Sequence, residues 1–309
     1  MSTATNYVHT LEAAQIGELR QIMEAKGWEF GDAPYAHWRA RLEKTQVVAY
    51  ESGKLTVQGK GTAEFVQFIL EPEILGEARF GYEHLLAETE SPEMFEPHAG
   101  IDESGKGDYF GPLVIAAAYV DADSARTLLA AGVTDSKAIK NDRRIRDLSE
   151  VIRAETRGRF SIVPIGPEAY NRLYAKIGNV NKLLAWGHAR AVENLLDRVP
   201  DCPRAISDQF GRKSTVERAL MERGARIKLE QRTKAESDIA VAAASILARD
   251  EFVRRLEQLG TAAGVSLPKG AGSGVVKVAS SLGQEGGHKL LTRFAKVHFK
   301  TTEKALGLT

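Results

Sequence analysis

The chain of 309 residues holds one cysteine, Cys202. A single thiol excludes an intrachain disulfide and any zinc site built on paired cysteines, and it suits a reducing compartment. No apolar run approaches the roughly 20 residues of a membrane-spanning helix. The N-terminus lacks a basic-then-apolar leader, so a cytoplasmic location is expected. The histidines, His9, His37, His84, His98, His188, His288 and His298, are scattered without metal-ligand spacing. Internal repeats and low-complexity tracts are missing as well.

What is present is an ordinary globular composition, 43% hydrophobic, enough for one large or two ordinary domains. The net charge of +1 conceals an asymmetry. Residues 1–97 carry 8 Lys and Arg against 16 Asp and Glu, whereas residues 98–309 carry 34 against 25. The larger, basic part suits a polyanionic partner, although net charge speaks to association and not to reaction.

In the acidic part, Leu11 to Ala25 places apolar residues at helical spacing and ends at Gly27. Residues 36–42 alternate, with Trp38, Ala40 and Leu42 on one side and His37, Arg39 and Arg41 on the other. Residues 47–50 and 54–58 read as further strands and 63–70 as a helix. The expectation is a small α+β domain over 1–80 whose outer sheet face carries Arg39, Arg41, Lys54 and Lys60. Such a face serves as a nucleic-acid platform, though solvated strands also carry basic residues without one. Residues 81–97, acidic and with two prolines, read as a linker.

The part from 98 onward is organised around Gly100-Ile101-Asp102-Glu103-Ser104-Gly105-Lys106-Gly107-Asp108, which runs into the apolar stretch 110–120. Gly100, Gly105 and Lys106 satisfy P-loop spacing by accident. Position 107 is Gly, so the magnesium-binding hydroxyl is missing, and Asp102 and Glu103 would repel a nucleotide's phosphates. Carboxylates at a strand end suit divalent metal instead, and glycines permit close backbone approach. Asp102 and Glu103 can both face one ligand only if the strand already turns at Glu103, because neighbours on a strand point oppositely.

Residues 113–120 read as a strand buried on both faces, 160–165, 204–208 and 226–229 as strands, and 121–129, 141–156, 179–199 and 236–259 as helices. The result is a mixed α/β sheet with helices on both faces. Asp208 ends a strand. Asp238 opens an Ala-rich helix whose first turn must press against the sheet, where a bare charge is costly and divalent metal is the simplest compensation. Turn chemistry and a helix N-terminus explain either acid taken alone.

Asp-Glu-Ser-Gly-Lys-Gly-Asp at 102–108, Thr-Asp-Ser-Lys at 134–137, Asp-Gln-Phe at 208–210, Ala-Glu-Ser-Asp-Ile-Ala-Val-Ala-Ala-Ala-Ser-Ile-Leu-Ala-Arg at 235–249 and His-Phe-Lys at 298–300 together resemble the bacterial ribonuclease HIII family. The N-terminal segment resembles that family's TATA-box-binding-protein-like domain. The resemblance implies a ribonuclease H-like mixed sheet flanked by helices over 98–309, a substrate-binding domain over 1–80, and a monomer without an obligate protein partner. It implies an endoribonuclease that cuts the RNA strand of RNA/DNA hybrids to 5′-phosphate and 3′-hydroxyl ends. Asp102, Glu103, Asp208 and Asp238 would hold two Mg2+ ions, or Mn2+ in their place. Ser104, Gly105, Lys106 and Gly107 would lie against the hybrid's minor groove, and Ser136 and Lys137 would meet phosphate. A resolvase or transposase-like nuclease of the same fold, acting on DNA, is the alternative that the acids alone leave open.

Overall fold

The computed structural model describes residues 5–80, 83–208, 227–233 and 235–308. Contacts divide the chain into two compact units, Met1–Glu90 and Ser91–Thr309. The first comprises β1 (Asn6–Thr10), α1 (Ala13–Ala25), β2 (Glu29–Gly31), β3 (Ala36–Leu42), β4 (Thr45–Tyr50), β5 (Lys54–Gly59), α2 (Thr62–Phe65), a run of π-helical turns over Val66–Leu75, and α3 (Glu83–Glu90). Its strands form an antiparallel sheet in the order β1-β5-β4-β3-β2. Period-two alternation turns Trp38, Ala40, Val47, Ala49, Leu55 and Val57 inward onto Leu19 and Met23 of α1 and onto Phe65 and Leu70.

Register sets Arg39 opposite Val48, Val48 opposite Thr56, and Arg41 opposite Gln46, so these side chains share the outer face. Lys54 has the same parity as Thr56. Strand ends add two details. Leu42 keeps the side of Trp38 and Ala40 but is 38% exposed, because it is the last residue of β3 before a turn in which Glu43 adopts a φ of 48°. Lys60 leaves the sheet face, since Gly59, with a φ of 120°, redirects the chain there. Lys60 instead joins Lys26 and Lys44 around a groove beside the exposed Phe68. The stretch read as a linker carries secondary structure over its described residues, 83–97. It includes α3, whose Glu90 is bound by Arg79 at 2.8 Å, and a 3-10 turn over Pro92–Phe95 whose Phe95 is buried beneath Arg126.

The second unit comprises β6 (His98–Ser104), β7 (Leu113–Val120), α4 (Ala122–Ala130), α5 (Asp142–Glu155), β8 (Phe160–Ile165), α6 (Pro167–Ile177), α7 (Val180–Leu196), β9 (Arg204–Asp208), β10 (Lys228–Arg232), α8 (Ile239–Ala263), α9 (Ser273–Phe294) and α10 (Lys300–Ala305). The sheet order is β10-β9-β6-β7-β8. Strands β6, β7 and β8 form an antiparallel meander, and β9 and β10 run parallel to β6. It is the mixed sheet that the sequence predicts. Of the motif at 208–210, Gln209 and Phe210 lie outside the described residues, as does Arg226 of the strand expected over 226–229.

Helices cover both faces. On one, Ala99, Ile101, Leu113, Ile115 and Ala117 pack against Leu183, Leu184, Val192 and Leu195 of α7. On the other, α8 lies so close to β6 that a Cβ on Gly100 would stand 2.1 Å from the backbone of Ala240 and Val241. Real side chains never come so near, so strand and helix meet there backbone to backbone. The small side chains of α8, Ala240, Ala242, Ala243 and Ala244, make that approach available.

Candidate active site at the tip of strand β6

The ladder between β6 and β7 continues through Ser104 opposite Val114, so the strand stays extended past Glu103. The turn expected at Glu103 comes two residues later, at Gly105 with a φ of 88°. Alternation then sends Asp102 to the α8 side, with Gly100, and Glu103 to the α7 side, with Ala99 and Ile101. The two acids emerge from opposite faces of the sheet and still line one cleft at its tip.

On the α7 side, His188 Nε2 lies 3.0 Å from Glu103 Oε2, and Lys106 Nζ lies 3.6 Å from Oε1. Burial works to raise the Glu103 carboxyl, but the hydrogen bond and charge of His188, together with Lys106, hold it below the usual carboxylate range. On the α8 side, burial and the neighbouring Glu103 charge push Asp102 up to about 7, although its Oδ1 accepts the Glu103 N–H at 2.8 Å. Asp208 ends β9, which runs parallel to β6 with Ser207 opposite Ile101. The next position in that register sets Asp208 beside Asp102 on the same face.

Lys137 approaches from the turn Ser136–Ala138, which is capped by Asp135. Burial disfavours its ammonium, yet Asp102, Asp135, Glu236 and Asp208 outweigh burial and raise its pKa. The turn is anchored from α8: the buried Ser136 donates its N–H to Ser245 Oγ at 3.0 Å, and the Arg249 guanidinium binds the carbonyls of Ser136 and Ile139. The cleft thus unites Asp102, Glu103, Ser104, Gly105, Lys106, Gly107, Ser136, Lys137 and Asp208 with Asp108 and Arg249.

Asp238 does not join them. It is 6% exposed and caps α8, with Oδ1 accepting the N–H groups of Ala240 and Val241 at 2.9 and 3.2 Å. His98 Nε2 lies 3.0 Å from both of its oxygens. His98 begins β6, four residues or roughly 13 Å of strand behind Asp102. The first turn of α8 presses on the sheet as expected, but over the start of β6 and not its tip. A histidine and two backbone amides supply the compensation that was expected from metal. The acid that faces Lys137 from this segment is Glu236, in the 3-10 turn Ala235–Ser237 that precedes the helix.

Sequence reasoning missed His98, His188, Glu236 and Arg249. His188 had a signal: it stands at helical spacing from Leu184, Ala191 and Leu195, so it faces the core. His98 shares strand parity with Asp102, which puts it on the α8 face.

The available donors are carboxylate oxygens, the chemistry of a hard divalent cation. As the side chains stand, no group of three or more His, Cys, Asp or Glu among the described residues converges on one point ready to hold an ion. Glu103 is engaged by His188 and Lys106, and Lys137 supplies positive charge on the other side. The crowding of like charge that raises Asp102 is relieved by an added cation, so the residue set fits a divalent metal.

A five-stranded mixed sheet between helices, with acids at the tips of two adjacent strands, defines a protein of the ribonuclease H-like class. A family model described as Ribonuclease HII matches residues 99–302, and one described as a domain of unknown function, DUF3378, matches residues 6–77. Ribonuclease HIII of Protochlamydia amoebophila (strain UWE25) is 40% identical over 307 residues, 99% of each chain. Ribonuclease HIII of Chlamydia pneumoniae is 39% identical over 300 residues, 96% of this chain and 97% of that one. The crystal structure of Bst-RNase HIII in complex with Mn2+ matches with a TM-score of 0.65 and 31% identity, over 98% of this chain and 99% of that one. The chain belongs to the ribonuclease HII family and is an enzyme of the ribonuclease H type, with full-length similarity to ribonuclease HIII.

Proposed function

We propose that the protein is an endonuclease that hydrolyses the RNA strand of RNA/DNA hybrids, leaving 5′-phosphate and 3′-hydroxyl ends. The observation that carries this reading is the meeting of Asp102, Glu103 and Asp208 at one cleft, lipped by a glycine turn and flanked by Lys106 and Lys137. Asp102, Glu103 and Asp208, with Glu236 in place of Asp238, would hold two divalent ions, magnesium or manganese. Such ions, when bound, supply Lewis acidity toward the scissile phosphate.

The remaining work falls to the chain's own residues. His188 keeps Glu103 ionised and fixes its rotamer, so the ligand is ready before substrate arrives. Gly107 has nothing within 4 Å of a hypothetical Cβ, so its backbone faces open space where a minor groove with its 2′-hydroxyls can approach. Lys137 and Ser136 would meet a phosphate beside the cut. Residues 1–80 would grip the hybrid through Arg39, Arg41 and Lys54, raising its local concentration without touching the chemistry. Lys60 would contact it separately, from the groove edge.

Labelled RNA/DNA hybrid and DNA duplex, incubated side by side with and without magnesium or manganese, test the reading. Cutting of the RNA strand alone, and only with metal, is expected. Comparable cutting of DNA would move the protein to the resolvase class.

A further inference from the structure

Lys296 is fully buried, with 0% exposure, and no carboxylate pairs with it among the described residues. Its Nζ donates instead to the carbonyl of Gly111 at 2.8 Å and lies 3.4 Å from that of Pro112, with the Tyr170 ring 5.7 Å away. The charge of Asp108 favours the ammonium only in part, so a lysine amine with no carboxylate in contact is a costly occupant of a core, and a methionine of similar shape would fill the space more cheaply. Burial pushes the amine down to about 7, in line with that cost. A local rule broken at this expense points to a task elsewhere.

The carbonyls that Lys296 holds are next to the glycine turn. Pro112 O stands where a Cβ on Gly105 would lie 2.2 Å away, so the Pro112 peptide is the floor on which Gly105 rests. The backbone around Lys296 grips the same segment: Gly111 donates its N–H to Phe294 O at 3.0 Å, and Lys296 donates its own to Tyr109 O at 2.8 Å. Asn171 of α6 holds this tail from behind, donating to the carbonyls of Thr292 and Ala295 and accepting the Val297 N–H at 3.1 Å.

We infer that Lys296, backed by Asn171, is a positioning residue for substrate: it sets the height of the Ser104–Gly107 turn through the Gly111 and Pro112 carbonyls. Lys296 touches neither substrate nor carboxylates. The inference rests on the proposed contact between that turn and the hybrid.

Lys296→Met keeps the volume and removes the donors. Its circular dichroism and melting should match a folded protein, while KM for hybrid rises about five- to tenfold, the worth of one or two hydrogen bonds. The kcat and the calorimetric Mn2+ affinity should stay within about twofold, because the carboxylates are undisturbed. A purely structural lysine would alter melting and leave KM alone, and that outcome overturns the inference. Should Lys296→Met fail to fold, Asn171→Ala is read the same way: a raised KM supports the clamp, and an unchanged KM overturns it. Gly107→Ala, whose new Cβ meets nothing, reports on the turn itself. A raised KM there with an unchanged KM in Lys296→Met overturns the clamp alone. An unchanged KM in Gly107→Ala removes the turn from substrate contact and takes the inference with it.

Discussion

His98 Nε2 lies 3.0 Å from both oxygens of Asp238, and the pair ties the first residue of β6 to the first turn of α8. Asp238 is thereby committed to the fold. Asp238→Ala should cost about 2–4 kcal/mol of stability, from the lost helix cap and the histidine left without its partner. Cleavage measured below the melting temperature should survive. Glu236→Gln should leave stability nearly unchanged and lower kcat about a hundredfold or more, if Glu236 is a ligand. Melting curves and single-turnover cleavage of the two variants, compared, separate the assignments.

His188→Leu removes the group that holds Glu103 below the usual carboxylate range. The Glu103 pKa then rises, so the acid limb of the pH–rate profile should move to higher pH. His188→Gln, which retains a hydrogen-bond donor, should move it less. An unmoved acid limb in His188→Leu would show that Glu103 need not be ionised.

Asp102, raised to about 7, is protonated in part at neutral pH in the metal-free protein. The folded state therefore binds a proton that the unfolded state has released between about pH 4 and 7. Through this group the metal-free protein should lose stability as pH rises across that window, by at most about 1.4 kcal/mol per pH unit. Metal favours the ionised form, so Mn2+ affinity should weaken below pH 7. Titration calorimetry at pH 6.5, in two buffers of different ionisation enthalpy, should detect proton release that vanishes at pH 8.5.

Lys296 shows the opposite slope. Its amine titrates near 7 in the fold and near 10.4 in the unfolded chain, so between these values the unfolded chain holds the extra proton and stability rises with pH. Asp108 opposes the shift, and the raised phenols of Tyr109 and Tyr170 lie close by. Those groups are common to wild type and Lys296→Met. The difference in melting temperature between the two proteins, followed from pH 7 to 10, should therefore isolate the lysine and favour wild type increasingly as pH rises.

Arg39→Ala combined with Arg41→Ala should raise KM for long hybrids and leave kcat unchanged. If each arginine meets one phosphate, the log–log salt slope of hybrid affinity should fall by about 0.7 to 0.9 per contact. Identical slopes for wild type and variant would make the sheet face a solvated surface only.

Much of this architecture is legible in the sequence where periodicity is strong. Strand β3 with Arg39 and Arg41, the buried strand β7, and the strand-end position of Asp208 follow from alternation and apolar runs. Strand β2, with three residues, is too short to show a period, and the glycines of α9 dilute its helical signal. The misplacement of Asp238 has a different cause. Sequence marks where α8 begins but not which end of β6 it overlies, and that depends on the helix's crossing of the sheet. The pairing of lone histidines with acids far away in the chain, 85 residues for His188 and 140 for His98, carries no local trace.

The bare contact at Gly100 sets a dimension. Strand β6 carries Asp102, and α8 carries Ser245 and Arg249, which hold the turn of Lys137. With peptide planes as the spacer between strand and helix at Gly100, the gap from Asp102 to Lys137 is gauged by main-chain thickness for as long as that residue stays glycine. Substitutions that repack the α7 face can accumulate without altering that gauge, whereas a single methyl group at Gly100 would shim the helix off its strand and open the cleft.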